Sequence, residues 1–238
     1  MIDFSSKRIA TIGDSITRGV VATGKEQGSS RYRYIVTDNC FVEMCKTRLG
    51  VEVYNYAVFG STVLQGMKTI ARHGSSIGAC DYVVLCYGGN DSDFDWPAVA
   101  LNPTMQHQSK VPLDVFREKY VELVEKVREL GAKPVMLSLP VIQPERLFDT
   151  VTEGLDRTNV MQFMCDCTES IYYWHEIYNI EVFKIAASYE VPLIDITSPF
   201  LAQHNFDDYM CADGIHPNEK GHKLIADAIC SYCENYCV

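Results

Sequence analysis

A serine near the start of the chain and an aspartate–histidine pair near its end could together perform acyl transfer. Ser15 follows the apolar run "RIATI" in a Gly-Asp-Ser turn, and Asp213 and His216 lie three residues apart in "CADGIHPNEKGH". A carboxylate at that spacing can hold one imidazole nitrogen, which leaves the other free to take a proton from a serine hydroxyl. Each residue also has an ordinary interpretation, with Ser15 as a helix cap, Asp213 as a turn residue and His216 as a surface histidine.

Two further loops carry groups that could stabilise an oxyanion. Gly60, in "NYAVFGS", could present a backbone N–H, and Asn90, in "CYGGNDSD", could present a carboxamide N–H. Asp91 cannot donate when it is ionised, so we expect it to brace its loop. His222 follows His216 by six residues, inside a predicted helix, and we expect it at the surface or at a helix cap.

Five apolar runs are expected to form strands, and their lack of strict alternation indicates a sheet covered on both faces. They span residues 8–12, 51–58, 81–88, 133–140 and 191–196. Helical periodicity lies between them, most clearly over residues 113–131 and, with an interruption, over 160–189. A last helix is expected after Pro217, with Asn218 as its N-cap.

Strands that alternate with helices predict an α/β protein with an open, doubly wound parallel sheet of about five strands. Ligands of such sheets bind beyond the carboxyl ends of the strands, where all of the candidate groups lie. Segments near 93–112 and 141–159 follow strand ends and show neither pattern. They are either surface decoration or loops that overhang the site and shape the substrate pocket.

Composition and charge narrow the classes of partner. The 238 residues carry a net charge of -10, which argues against nucleic acid, and we expect one domain over residues 1–238. We see no signal peptide and no apolar run of the roughly 18 residues that span a bilayer, so a cytoplasmic location is expected. The ten cysteines are then expected as free thiols.

Three of those cysteines could be metal ligands by their spacing. Cys230, Cys233 and Cys237 fall on one face of the predicted last helix. With no fourth ligand nearby in the sequence, a buried apolar face is favoured over a zinc site.

Taken together, the four motifs resemble those of the SGNH-hydrolase superfamily of GDSL-type esterases and lipases. The matching strings are Gly13-Asp14-Ser15, Gly60, Gly88-Gly89-Asn90-Asp91 and Asp213-Gly214-Ile215-His216. The resemblance implies a three-layer, flavodoxin-like α/β/α fold, and it implies neither a metal nor an organic cofactor. Phe59 departs from the small residue usual before the glycine, so it can shape the pocket.

The resemblance also implies roles for the residues. Ser15 is expected as the nucleophile, His216 as general base and then acid, and Asp213 as the group that orients His216. The oxyanion hole is expected from the backbone N–H groups of Ser15 and Gly60 together with the Asn90 side chain. The expected activity is that of a serine esterase on a small-molecule ester, through an acyl-enzyme on Ser15.

Substrate class is inferred from the loop "NDSDFDWPAVA", in which aromatic residues stand beside acids. Such a loop suits a sugar, so short acyl groups on a carbohydrate or similar polar alcohol are expected, with Asp14, Phe59 and Trp96 shaping the pocket. Trp96 could equally just pack the loop. Thioester or lysophospholipid hydrolysis and a catalytically silent binding module are the alternatives. A flavin or nucleotide binder is disfavoured, because the first turn lacks a glycine-rich phosphate loop.

Overall fold

A parallel five-stranded sheet forms the centre of the molecule. The computed structural model describes residues 6–25 and 31–236. Its strands are β1 (Arg8–Gly13), β2 (Val20–Lys25), β3 (Tyr32–Val36), β4 (Glu52–Asn55), β5 (Tyr82–Cys86), β6 (Lys133–Leu137) and β7 (Leu193–Ile194). The sheet order is β4-β1-β5-β6-β7, with every neighbouring pair parallel. This is the flavodoxin-like order, and the direction of winding reverses between β1 and β5.

Helices cover both faces of this sheet. They are α1 (Ser15–Arg18), α2 (Phe41–Leu49), α3 (Val63–Gly78), α4 (Trp96–Leu101), α5 (Leu113–Glu129), α6 (Pro144–Val151), α7 (Arg157–Phe163), α8 (Ser170–Ser188), α9 (Ser198–Leu201) and α10 (Glu219–Tyr236). One apolar core joins α3, α5 and α8 to the sheet, and a second joins α2 and α10 to it. The three-layer α/β/α fold is therefore confirmed.

Helix α5 lies where the helical periodicity of the sequence is clearest. One face of this helix is buried, and that burial explains the periodic spacing of its apolar residues. Phe116, Tyr120, Leu123 and Val127 recur at steps of three and four residues and are completely buried against the sheet. Burying one such side chain contributes about 1.5–3 kcal/mol, so this stripe determines which face of α5 meets the sheet. The interruption predicted within residues 160–189 is real, because α7 and α8 are separate helices.

Two features of the fold differ from the prediction. Strands β2 and β3 form an antiparallel hairpin, which the sequence reading did not anticipate. The segments 93–112 and 141–159 were expected to lack regular structure, yet they contain α4, α6 and the start of α7. These helices are short and are held by a separate apolar cluster that includes Phe94, Trp96 and Phe148. Tertiary packing, which a local pattern does not reveal, stabilises them.

Most cysteines of the described residues are buried. Cys40, Cys45, Cys80, Cys86, Cys211 and Cys230 are buried free thiols. Cys230 lies in the core between α2 and α10, with its Sγ 3.9 Å from the Cys45 Sγ. Cys237 lies outside the described residues. Within the described ranges, no three His, Cys, Asp or Glu side chains are grouped to hold a metal ion.

His222 contradicts the expectation of a surface or capping residue. Its side chain is completely buried on α10, and its ring stacks on Phe41 with 6.0 Å between ring centroids. Burial, with a smaller contribution from the nearby His216, lowers its pKa to about 4. The cap of α10 is Asn218, as predicted, whose Oδ1 accepts from the N–H groups of Lys220 and Gly221.

Replacing His222 by leucine should reduce the loss of unfolding free energy that occurs as the pH falls below neutral. The folded chain keeps this imidazole neutral down to about pH 4, whereas the unfolded chain protonates it near pH 6.5. Stability is therefore lost as pH falls through this window, by at most about 1.4 kcal/mol per pH unit from this group. Urea unfolding of both proteins at several pH values from 4.5 to 7.5 measures the difference. Parallel curves for the two proteins would contradict this account.

Candidate active site

Ser15 is the first residue of α1, directly beyond the end of β1. The cap of this helix is Asp14, whose Oδ1 accepts from the Ile16 N–H at 3.0 Å, so Ser15 is not the cap. Gly13 is required at the turn, because a Cβ there would stand 2.4 Å from Thr17 Oγ1. The geometry leaves the Ser15 hydroxyl available for a partner other than its own helix.

That partner is His216, which joins Ser15 to Asp213. His216 Nε2 lies 2.8 Å from Ser15 Oγ, and His216 Nδ1 lies 2.6 Å from Asp213 Oδ2. All three side chains are buried. An ionised carboxylate only accepts hydrogen bonds, so Asp213 holds the proton on Nδ1 and leaves the Nε2 lone pair toward the hydroxyl. This arrangement can remove a proton from Ser15 as its oxygen attacks.

Helix α6 holds the turn that carries Asp213 and His216. Gly214 has φ +76°, and a Cβ there would stand 2.4 Å from Leu147 N and 2.6 Å from Gln143 O. The Gln143 N–H donates to Gly214 O at 2.8 Å, and the Thr150 hydroxyl donates to Asp213 O at 3.0 Å. The sequence reading missed these contacts, and the only signal for them was the glycine inside Asp-Gly-Ile-His.

The β2–β3 hairpin covers the other side of the same turn. Tyr32 donates its hydroxyl to Ala212 O at 2.9 Å, and the Tyr34 ring lies 5.3 Å from the His216 ring between centroids. Burial raises the pKa of Tyr34, and the charge and hydrogen bond of the Asp213 carboxylate raise it further. Phe59 lies nearly parallel to His216 at 6.1 Å, so aromatic rings flank the imidazole and restrict its movement.

The loop after β5 brings Asn90 beside Ser15 and is braced from two sides. The Asn90 Nδ2 donates to Asp14 Oδ2 at 3.3 Å. Asp91 Oδ1 accepts from the Val63 N–H at 2.9 Å, which confirms its bracing role. Burial raises the pKa of Asp91 to about 7. Because Val63 begins α3, Asp91 ties this loop to the exposed Gly60 loop that precedes that helix, and Gly60 has φ +68° there.

A pocket opens beside Ser15 and is lined by residues from both segments that follow strand ends, 93–112 and 141–159. Its lining includes Asn90, Trp96, Ile142 and Leu147. Trp96 is buried, and its Nε1 donates to Asp93 Oδ1 at 2.7 Å. Trp96 packs its loop and also forms part of the pocket wall.

Comparison with known proteins assigns the chain to a family. The sequence model of the GDSL-like Lipase/Acylhydrolase family matches residues 11–224. The chain belongs to this family. Its members hydrolyse ester bonds, and the chain is accordingly an ester-hydrolysing hydrolase. A search of curated proteins found no match.

Solved structures of GDSL-type proteins share the fold. A lipase/acylhydrolase from Enterococcus faecalis aligns with TM-score 0.65 and 19% identity, covering 96% of this chain and 95% of that one. Axe2, an acetylxylan esterase from Geobacillus stearothermophilus, aligns with TM-score 0.64 and 20% identity, covering 97% and 95%. A lipolytic G-D-S-L family protein from Veillonella parvula aligns with TM-score 0.61 and 17% identity, covering 97% and 98%. In the described part of this chain, no helix is long and apolar enough to cross a membrane.

Replacing Asp14 by asparagine should slow the enzyme with little loss of stability. Asp14 uses one oxygen for the helix cap and the other for Asn90. Asparagine has one acceptor oxygen, so it can keep the cap but would turn an N–H₂ group toward the Asn90 N–H₂. We expect kcat to fall about 10- to 100-fold as the Asn90 carboxamide turns away.

Steady-state kinetics and thermal melts of Asp14→Asn, Asn90→Ala and the double variant test this. The double variant should be scarcely slower than Asn90→Ala alone, because both changes act through one carboxamide. Fully additive effects of the two substitutions on kcat would contradict the proposed dependence of Asn90 on Asp14.

Proposed function

We propose that the chain is a serine esterase that forms an acyl-enzyme on Ser15. The observation that carries the proposal is the His216 imidazole, which lies at hydrogen-bond distance from both Ser15 Oγ and Asp213 Oδ2. A lone capping serine would not need a buried imidazole on its hydroxyl, nor a buried carboxylate behind that imidazole. The same complete set argues against a catalytically silent binding module.

The reaction follows from this geometry in two steps. Ser15 Oγ attacks the ester carbonyl while its proton passes to His216 Nε2, and Asp213 stabilises the imidazolium. The tetrahedral oxyanion takes hydrogen bonds from the backbone N–H groups of Ser15 and Gly60 and from Asn90. His216 then gives its proton to the departing alkoxide. His216 then deprotonates a water molecule, which attacks the acyl-enzyme carbonyl. As the bond to Ser15 Oγ breaks, His216 returns the proton to Oγ, which releases the carboxylic acid and free Ser15.

For the substrate, we propose a short acyl group on a carbohydrate or another small polar alcohol. Phe59 supports this, because its ring is 52% exposed beside His216 and can lie against the apolar face of a sugar. The fold neighbour Axe2 is an acetylxylan esterase, which is consistent with the same class.

A second candidate substrate class is suggested by the wall of the pocket. Ile142, Leu147 and Ile171 give it an aliphatic surface that a longer acyl chain could contact. Thioesters and lysophospholipids carry such chains, and the same nucleophile and oxyanion donors would serve them. Acyl-chain preference therefore separates the two candidates.

Labelling with a serine-directed fluorophosphonate tests the nucleophile. Wild-type protein should be labelled, and Ser15→Ala should not, with kcat for p-nitrophenyl acetate reduced about 10⁴-fold or more. Ser198→Ala is the matched control, because Ser198 also begins a helix but has no histidine partner among its described hydrogen bonds. Equal labelling of folded Ser15→Ala and wild type would disprove the proposal.

A series of p-nitrophenyl esters from acetyl to palmitoyl tests the acyl preference. We expect kcat/KM to be highest for acetyl and to fall as the chain lengthens, because a short-acyl site leaves longer chains exposed to water or forces them against the wall. The series is run below the critical micelle concentration of each ester. A kcat/KM that rises beyond about eight carbons would instead favour the thioesterase or lysophospholipase class.

A further inference from the structure

The side chain of His175 lies at the pocket beside Ser15, and its Nε2 makes no hydrogen bond to another described residue. Its side chain is 4% exposed and comes from α8, which contributes none of the predicted site residues. His175 lines the pocket together with Ser15 and Asn90. Its Nε2 lies 3.8 Å from the position where a Cβ on Gly89 would stand, and Asp14 Oδ2 lies 3.9 Å from the same point. The imidazole edge therefore faces the loop that carries Asn90.

The other ring nitrogen is held by a built network. His175 Nδ1 lies 3.4 Å from Glu176 Oε1, and the Asn179 amide donates to Glu176 Oε2 at 3.1 Å. Asn179 Oδ1 in turn accepts from the Leu139 N–H at the end of the β6 region, at 2.8 Å. A carboxylate only accepts, so the hydrogen bond to Glu176 places a proton on Nδ1, and in the neutral imidazole this leaves the Nε2 lone pair toward the pocket.

The other polar side chains along this wall already have partners. Asp93 accepts from Trp96 with one oxygen and from Lys110 with the other, each at 2.7 Å. Ser92 donates its hydroxyl to Gly89 O at 2.9 Å. His175 Nε2, in contrast, makes no hydrogen bond to any other described residue. Because His175 borders the pocket, its Nε2 can take a hydrogen bond from a donor that the substrate supplies.

We infer that His175 is a specificity-determining residue that accepts a hydrogen bond from a hydroxyl group of the bound ester. The inference rests on the proposed esterase function and deepens it. The aliphatic wall of the pocket would contact the carbon atoms of the bound ester, while His175 Nε2 would accept from one of its hydroxyl groups. A site that offers a buried acceptor favours hydroxylated esters over analogues that lack the hydroxyl. That hydroxyl can belong to a sugar alcohol or to a hydroxyacyl group, and the substrates below separate these sources.

The test compares kcat/KM of His175→Phe, His175→Gln and wild type on four esters. p-Nitrophenyl acetate and ethyl acetate carry no hydroxyl, a mono-O-acetylated methyl xyloside carries hydroxyls on the alcohol, and ethyl glycolate carries one on the acyl group. Phenylalanine fills the space of the ring without an acceptor, whereas glutamine restores a carbonyl acceptor. His204→Phe is the matched control, because His204 is exposed and lies outside the pocket.

We expect His175→Phe to lose at least about 10-fold in kcat/KM on the acetylated xyloside and to stay within about twofold on p-nitrophenyl acetate and ethyl acetate. His175→Gln should recover part of the loss. If the loss falls on ethyl glycolate instead, the recognised hydroxyl is on the acyl group.

Equal losses on all four esters would assign His175 a purely structural role, and unchanged ratios would also overturn the inference. A wild-type enzyme that hydrolyses p-nitrophenyl acetate but neither hydroxylated ester would overturn it as well. The underlying esterase proposal fails separately, if the activity on p-nitrophenyl acetate does not depend on Ser15.

Discussion

The hydrogen bond between the buried Asp213 carboxylate and His216 is the constraint on which the rest of the site depends. Asp213 is completely buried, and an isolated charge there would be very costly. The carboxylate is held instead by the imidazole and by the N–H groups of Ile215 and His216, both at 3.2 Å. Those donors exist only while the turn keeps its shape. Helix α6 and the β2–β3 hairpin pack on either side of the turn and keep it in that shape.

A second constraint acts across the point where the sheet reverses its winding. The loops after β1 and β5 leave adjacent strands there, and both carry a buried carboxylate. Burial raises the pKa of Asp14 and raises that of Asp91 to about 7. Each carboxylate reaches a donor outside its own loop or helps to cap a helix, so each fixes loop geometry at some cost in stability. Such perturbed groups are concentrated at functional sites because precise placement there outweighs stability.

Much of the fold could be predicted because its determinants are local. The inner strands β1, β5 and β6 are largely buried apolar runs, the α5 stripe repeats at helical steps, and Asp213 and His216 are three residues apart in one turn. The hairpin and the small helices depend instead on distant contacts. Nothing near Tyr34 in the sequence indicates that it lies against His216, and nothing near Gln143 indicates the Gly214 turn. His222 was misjudged for the same reason, since its burial depends on Phe41, which is remote in sequence.

The residues that the sequence predicts and those that it does not predict have different roles in the site. Ser15, Asn90 and His216 lie on turns that directly follow strands or precede a helix, where the geometry of a parallel sheet brings them together whatever the substrate. Trp96, Leu147 and His175 come from α4, α6 and α8, and they line the pocket beside Ser15. These three side chains can change without disturbing the hydrogen bonds at Ser15, provided that α6 still holds the Asp213–His216 turn. Substrate preference in this chain should therefore be governed by the side chains that α4, α6 and α8 present to the pocket, while the proposed acyl transfer depends on Ser15 and His216 at the edge of the sheet.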